Sequence, residues 1–203
     1  MILYLHGFRS SPQSVKARAL AAHMAAKGLA DSFRCPQLPI APAEAMAMLR
    51  EEVARLAEQT GRLPTVVGSS LGGFYATRLA EELGVRAVAV NPVVHPSRGL
   101  SAYVGRLTNL YTGEPFEWTP EHVAQLRALE RDRLEHPERI WLMVELGDEL
   151  LDHRQTIAFY QGAKQTVLEG GDHSFTRWND HLDEILVWAG LMPEGNAGKA
   201  ERS

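Results

Sequence analysis

Short apolar runs bounded by turn residues alternate along this chain with helix-length stretches whose apolar positions recur every three or four residues. The runs at 2–5 (Ile-Leu-Tyr-Leu), 33–37, 64–68, 87–91, 140–146 and 165–169 read as six strands. Pro36 and Pro39 suit the second of them to a sheet edge, because proline cannot donate to a ladder on both sides. Helical spacing predicts helices over 12–26, 43–58, 71–83, 152–160 and 179–188, and a glycine lies just beyond each of these ends. Strands alternating with helices predict βα units, hence an α/β fold with a mostly parallel six-stranded sheet and helices on both faces.

One stretch breaks the alternation. Residues 96–137 are too many for a plain connection, and a helix over 120–135 behind a Thr119 cap is predicted within them. Two readings stay open for this stretch: a helical cap, or a crossover insertion with a decorated loop. The whole reads as one domain over residues 1–191, followed by a flexible tail at 192–203 that has no apolar anchor.

Composition narrows the function classes. The chain has 203 residues, 45% hydrophobic and 23% charged, with a formal net charge of -4. A chain of this length buries about 70% of its unfolded surface, enough for a core without staples. The mild negative charge gives no basic footprint for nucleic acid or anionic lipid, and no apolar run is long enough to span a membrane. A small molecule is the expected partner. Cys35 is the only cysteine, so no internal disulfide forms, and a reducing cytoplasm is the expected setting. The N-terminus leads directly into strand residues and lacks the pattern of an export signal.

The chemistry gathers at three turns. Gly68-Ser69-Ser70-Leu71-Gly72 joins the third strand to the third helix. A Gly-x-Ser-x-Gly in that context predicts a sharp turn that thrusts Ser70 out at the carboxyl edge of the sheet, with Gly68 and Gly72 removing side chains that would clash. Ser70 is the expected nucleophile, and the Leu71 N–H an oxyanion donor at a helix N-terminus. After the first strand comes His6-Gly7-Phe8, where Gly7 admits a close backbone approach and the Phe8 N–H is the expected second donor. His6 reads as structural, its ring holding the loop. After the last strand comes Gly170-Gly171-Asp172-His173, whose histidine is the expected general base. Asp148, just past the 140–146 strand, is the expected acid; Asp152 is the alternative, or else a helix cap. No metal and no cofactor are expected.

Glycine-rich strand-to-helix turns also bind phosphate, but the chain lacks both the full dinucleotide pattern and a Gly-Lys-Ser/Thr continuation. A binding protein that keeps the fold without catalysis also remains open, since fold alone does not prove activity.

The sequence resembles the small bacterial esterases of the YqiA/YcfP-like type within the α/β-hydrolase superfamily. The matching residues are Tyr4-Leu5-His6-Gly7-Phe8, Ser10-Ser11-Pro12, Gly68 to Gly73, Asn91-Pro92, Tyr111-Thr112-Gly113, Gly147-Asp148-Glu149 with Asp152, Arg154 and Gln155, and Glu169 to His173. The resemblance implies a minimal hydrolase that starts at the strand bearing the His-Gly turn. It also implies cofactor-free cleavage of esters or thioesters of small to medium acyl groups by Ser70, His173 and Asp148.

Overall fold

A computed structural model describes residues 1–193. Six strands form one parallel sheet: β1 (Ile2–Leu5), β2 (Phe33–Arg34), β3 (Thr65–Ser69), β4 (Ala87–Val90), β7 (Ile140–Glu145) and β8 (Lys164–Leu168). Their order is β2-β1-β3-β4-β7-β8. A separate antiparallel hairpin pairs β5 (Gly105–Thr108) with β6 (Pro115–Trp118). The helices are α1 (Val15–Ala26), α2 (Pro42–Thr60), α3 (Leu71–Leu83), α4 (Pro96–Leu100), α5 (Pro120–Leu129), α6 (His153–Phe159) and α7 (Leu182–Trp188).

The central strands carry apolar residues on both faces because both faces are covered. Leu3 and Leu5, Val66, Ala87 and Ala89, and Leu142 and Val144 face one core together with α2, α3 and α5. Ile2 and Tyr4, Val67, Val88 and Val90, and Trp141 and Met143 face the other, with α1 and α7. The near-continuous runs in the sequence are thus two alternating sets, each feeding a different core.

From β1 the chain steps outward to β2 and then returns past β1 to β3. Strand order reverses there, so the loops leaving the carboxyl ends of β1 and β3 diverge and open a crevice. The His6-Gly7-Phe8 turn and the Ser70 turn occupy its two sides.

The predicted α/β architecture stands, with local differences. β2 spans two residues where 33–37 was expected, because Pro36 lacks an N–H and the next contact inward is the Leu38 N–H to His6. α1 begins at Val15, since Ser11 and Ser14 close a turn first: the Ser14 N–H donates to Ser11 O at 3.0 Å. α5 carries the Thr119 cap but ends at Leu129 and not 135, where Glu130 turns extended. Its carboxylate then accepts the Ser97 N–H at 2.7 Å. Besides the helices expected there, residues 96–137 contain the β5–β6 hairpin. Of the expected tail, Met192 packs against the second core, and residues 194–203 lie outside the described residues.

Candidate active site

Ser70 sits between β3 and α3 with φ 57° and ψ -119°, a left-handed conformation that a non-glycine residue adopts only under strain. Two glycines make the turn possible. A methyl group at Gly68 would strike the carbonyl of Gly72, and one at Gly72 would strike the carbonyl of Leu5. The Ser70 N–H donates to Val90 O at 3.0 Å, which ties the turn to the end of β4. From there α3 runs thirteen residues, with Ser70 at the positive end of its dipole.

Across the crevice, a methyl group at Gly7 would lie 3.4 Å from Ser70 Cβ and 3.9 Å from its Oγ, so the first turn passes directly over the hydroxyl. The N–H groups of Phe8 and Leu71 find no acceptor among the described residues. His6 is buried and braces this turn. Its Nε2 accepts the Leu38 N–H at 3.1 Å, so the proton sits on Nδ1 and donates to Gly7 O at 3.0 Å. Burial holds the His6 pKa below its ordinary value despite the Gly7 bond, keeping the ring neutral.

The hairpin that the sequence did not disclose supports the same turn from outside. Arg9 Nε donates to Thr108 O at 2.9 Å, the Leu110 N–H to Arg9 O at 2.8 Å, and Asn109 Nδ2 to Ser10 O at 2.8 Å. The Phe8 ring packs edge-on against Trp118, Phe116 and Tyr103, with centroids at 4.8, 6.1 and 6.2 Å.

His173 and Asp148, 25 residues apart in the chain, meet past the ends of β8 and β7. His173 Nδ1 lies 2.8 Å from Asp148 Oδ2, with side chains 19% and 2% exposed respectively. Burial raises the Asp148 pKa, but the bond and charge of His173 and the N–H groups of Leu150 and Leu151 outweigh it and hold the carboxyl below its ordinary value. An ionised carboxylate can only accept, so the imidazole proton resides on Nδ1 and the Nε2 lone pair is free. Asp152 does not join this pair: it caps α6, accepting the Arg154 N–H at 3.0 Å and Gln155 Nε2 at 3.1 Å. Among the described residues no hydrogen bond reaches the Ser70 hydroxyl, so Ser70 and His173 share the sheet edge without a direct bond.

Several residues outside the expected set hold the His173 loop: Glu149 accepts the His173 N–H at 3.0 Å, Lys16 donates to Ser174 O at 2.6 Å, and two more are buried. Asn91, one residue past β4, and Glu145, the last of β7, are buried and bond residues 172–177 from two sides. The Asn91-Pro92 pair had marked the resemblance, but nothing local in the sequence ties either residue to a loop 27 or more positions away.

Two clefts lie near the site, of which the smaller borders the Ser70 turn. One, of about 30 Å³, is bordered by Gly7, Phe8, Leu71 and Tyr75 and has room for a water-sized group. The other, of about 170 Å³, lies between residues 92–99 and 150–156, with Pro92, Val93, Val94, Leu150 and Leu151 as its apolar wall. Its two sides are anchored to the site: the Val93 N–H lies 3.4 Å from Ser70 O, and the Leu150 and Leu151 N–H groups donate to Asp148 Oδ1. Among the described residues there is no cluster of histidine, cysteine and carboxylate side chains able to hold a metal, and no helix long and apolar enough to cross a membrane.

The model of the uncharacterised protein family UPF0227 matches residues 1–190. The chain belongs to this family. Among its relatives, a UPF0227 protein of Vibrio atlanticus is 27% identical over 191 residues, covering 93% of this chain and 98% of that one. A UPF0227 protein of Yersinia enterocolitica is 26% identical over 193 residues, covering 94% and 99%. Solved structures share the fold of this UPF0227 member at lower identity. The esterase domain of a Rhodothermus marinus protein superposes with a TM-score of 0.62 at 17% identity, covering 93% of this chain and 85% of that one. A structure from work on the metagenome-derived lipolytic enzymes LipS and LipT gives 0.66 at 17% identity, covering 94% and 93%. At such identities the likeness is one of fold.

Proposed function

We propose that this UPF0227 protein is a serine hydrolase that cleaves carboxylic esters or thioesters of small to medium acyl groups through an acyl-enzyme on Ser70. The observation that carries the reading is the 2.8 Å contact of His173 Nδ1 with the buried Asp148 carboxylate, at the same sheet edge as a serine on a strained strand-to-helix turn. Ser70 Oγ attacks the acyl carbon while His173 Nε2 takes its proton. The carbonyl oxygen becomes an oxyanion and receives the Phe8 and Leu71 N–H groups, which have no other partner among the described residues. As the intermediate collapses, the C–O or C–S bond breaks and His173 protonates the departing alcohol or thiol. Water, deprotonated by His173, then attacks the acyl-enzyme; the bond to Ser70 Oγ breaks, His173 returns the proton to Oγ, and the acid leaves. None of these steps calls for a cofactor. Catalytic hydrogen bonds are commonly long and tighten with substrate, so the open Ser70 to His173 geometry is compatible with this mechanism.

That the fold is shared with an esterase domain and with lipolytic enzymes supports the reading by analogy of fold. In this reading residues 1–191 act as one catalytic unit with 96–137 as its cap, since α4 contributes Arg98 and Gly99 to the larger cleft. The single cysteine fits a reducing cytoplasm.

Cleft size sets the acyl group. A cavity of about 150 Å³ holds a benzene ring, so the 170 Å³ cleft has the volume for a butanoyl or benzoyl group. With a constant aryl leaving group, kcat/KM should peak at those acyl groups and fall toward dodecanoyl. Val94→Phe, which fills the apolar wall, should cut kcat/KM for butanoyl about tenfold or more while sparing acetyl, because one methylene in an apolar pocket is worth about 10-fold or more. A profile that rises to dodecanoyl, or that ignores Val94→Phe, would assign the acyl group elsewhere.

A further inference from the structure

We propose that Asn91 and Glu145 form a two-sided clamp whose task is to position His173, an inference that rests on His173 being the base of the proposed hydrolase. The Glu145 carboxylate is fully buried, a costly place for a charge unless every lone pair is used. It is used: Oε2 accepts the N–H groups of Asp172 at 3.1 Å and Thr176 at 2.8 Å, and Oε1 accepts Thr176 Oγ1 at 3.0 Å, the Arg177 N–H at 3.2 Å and Arg177 Nε at 2.9 Å. These donors bracket His173 on both sides in the chain. Against the direct effect of burial, they hold the Glu145 pKa down to about 2, so the clamp stays charged.

Asn91 takes the opposite polarity. Its Nδ2 donates to the carbonyl oxygens of Asp172 at 3.0 Å and His173 at 3.2 Å, and its Oδ1 accepts the Glu145 N–H at 3.0 Å. One side chain therefore holds the loop by its N–H groups and the other by its carbonyls, and the Asn91 amide is tied to the Glu145 backbone N–H. Asn91 adopts φ 38°, a left-handed conformation in which asparagine is favoured over most other residues. Gly171 completes the fit, since a methyl group there would occupy the position of the Glu145 carboxylate. Asn91 also follows Val90, the residue whose carbonyl accepts the Ser70 N–H. The end of β4 thus holds the backbone of Ser70 and of His173 at once, which fixes the distance between them. An apolar strand end would close the core without such a buried charge; the clamp adds direction.

Two nearly isosteric changes test it. Asn91→Asp keeps the shape but turns a carboxylate onto two carbonyls, and Glu145→Gln turns an amide onto donors. For variants that remain folded by thermal melting, kcat should fall on the order of 100-fold, the cost of an ångström-scale misplacement, with KM little changed. If both fail to fold, Asn91→Gly, which relieves the backbone strain and removes the side-chain bonds, carries the test. A downfield proton resonance of His173 Nδ1–H, expected in the wild type from its 2.8 Å contact with Asp148, should shift or vanish in each variant. That resonance reports the clamp without any turnover, so it separates the clamp from the hydrolase reading. Folded variants with unchanged kcat and an unchanged resonance would overturn the clamp. Wild-type protein with the resonance but no Ser70-dependent ester cleavage would instead overturn the hydrolase reading and, with it, the positioning task.

Discussion

Ser70→Ala is expected to abolish ester turnover while leaving the fold intact. Removal of a serine nucleophile from such a constellation costs on the order of a million-fold in kcat, because the base and the acid have nothing left to activate. The loss should be near this full size, since Ser69 cannot substitute: it belongs to β3, is 7% exposed, and points its side chain to the other face of the strand. Stability should barely change. Alanine meets the same backbone strain at φ 57°, and no hydrogen bond to the Ser70 hydroxyl is lost. Initial rates on a butanoyl aryl ester, with thermal melting as the control, check both halves. Undiminished turnover would move the nucleophile elsewhere.

The second large effect concerns the acid. Asp148→Asn should lower kcat on the order of 10,000-fold with KM nearly unchanged, because an amide facing His173 Nδ1 favours the wrong imidazole tautomer and cannot stabilise the imidazolium. Burial works against the Asp148 charge, yet His173 and the Leu150 and Leu151 N–H groups keep the carboxyl ionised at neutral pH. Asp152→Asn gives the contrast. Asp152 is an exposed helix cap, and asparagine caps about as well as aspartate, so activity and melting temperature should stay close to wild type. Paired kcat measurements on the two variants check the assignment, and a larger loss at 152 would reverse it.

The parts of the fold most legible in the sequence are those decided by local patterning. Residues 71–83 read as a helix because apolar spacing, a glycine stop at Gly84 and the preceding strand all agree, and α3 has those bounds. The sheet was legible because its four central strands are buried on both faces and so stand out as short apolar runs. The β5–β6 hairpin was not. Gly-Arg-Leu-Thr and Pro-Phe-Glu-Trp are short and half exposed, and Pro115 discourages a strand reading. What holds the hairpin is contact with the turn around Phe8 and Arg9, about a hundred residues away in the chain.

The same divide runs through the site. A serine between glycines and a histidine after paired glycines advertise themselves, because the backbone geometry they need demands those residue types in sequence. The sequence favoured Asp148 over Asp152 only by its place nearer the strand end, since both lie in the loop after β7; the direction of each side chain is what separates them. Asn91 and Glu145 left no local trace. Their partners lie 27 to 82 positions along the chain, and an asparagine after a strand or a glutamate at its end is unremarkable in a linear reading.

The central claim, that Ser70 is the activated nucleophile beside an imidazole held by Asp148, is tested most directly by a fluorophosphonate probe followed by mass mapping of the adduct. A covalent adduct on Ser70, absent from Ser70→Ala and formed far more slowly in His173→Ala, is the predicted result. A folded wild-type protein that takes up no probe, or carries it on another residue, would contradict it.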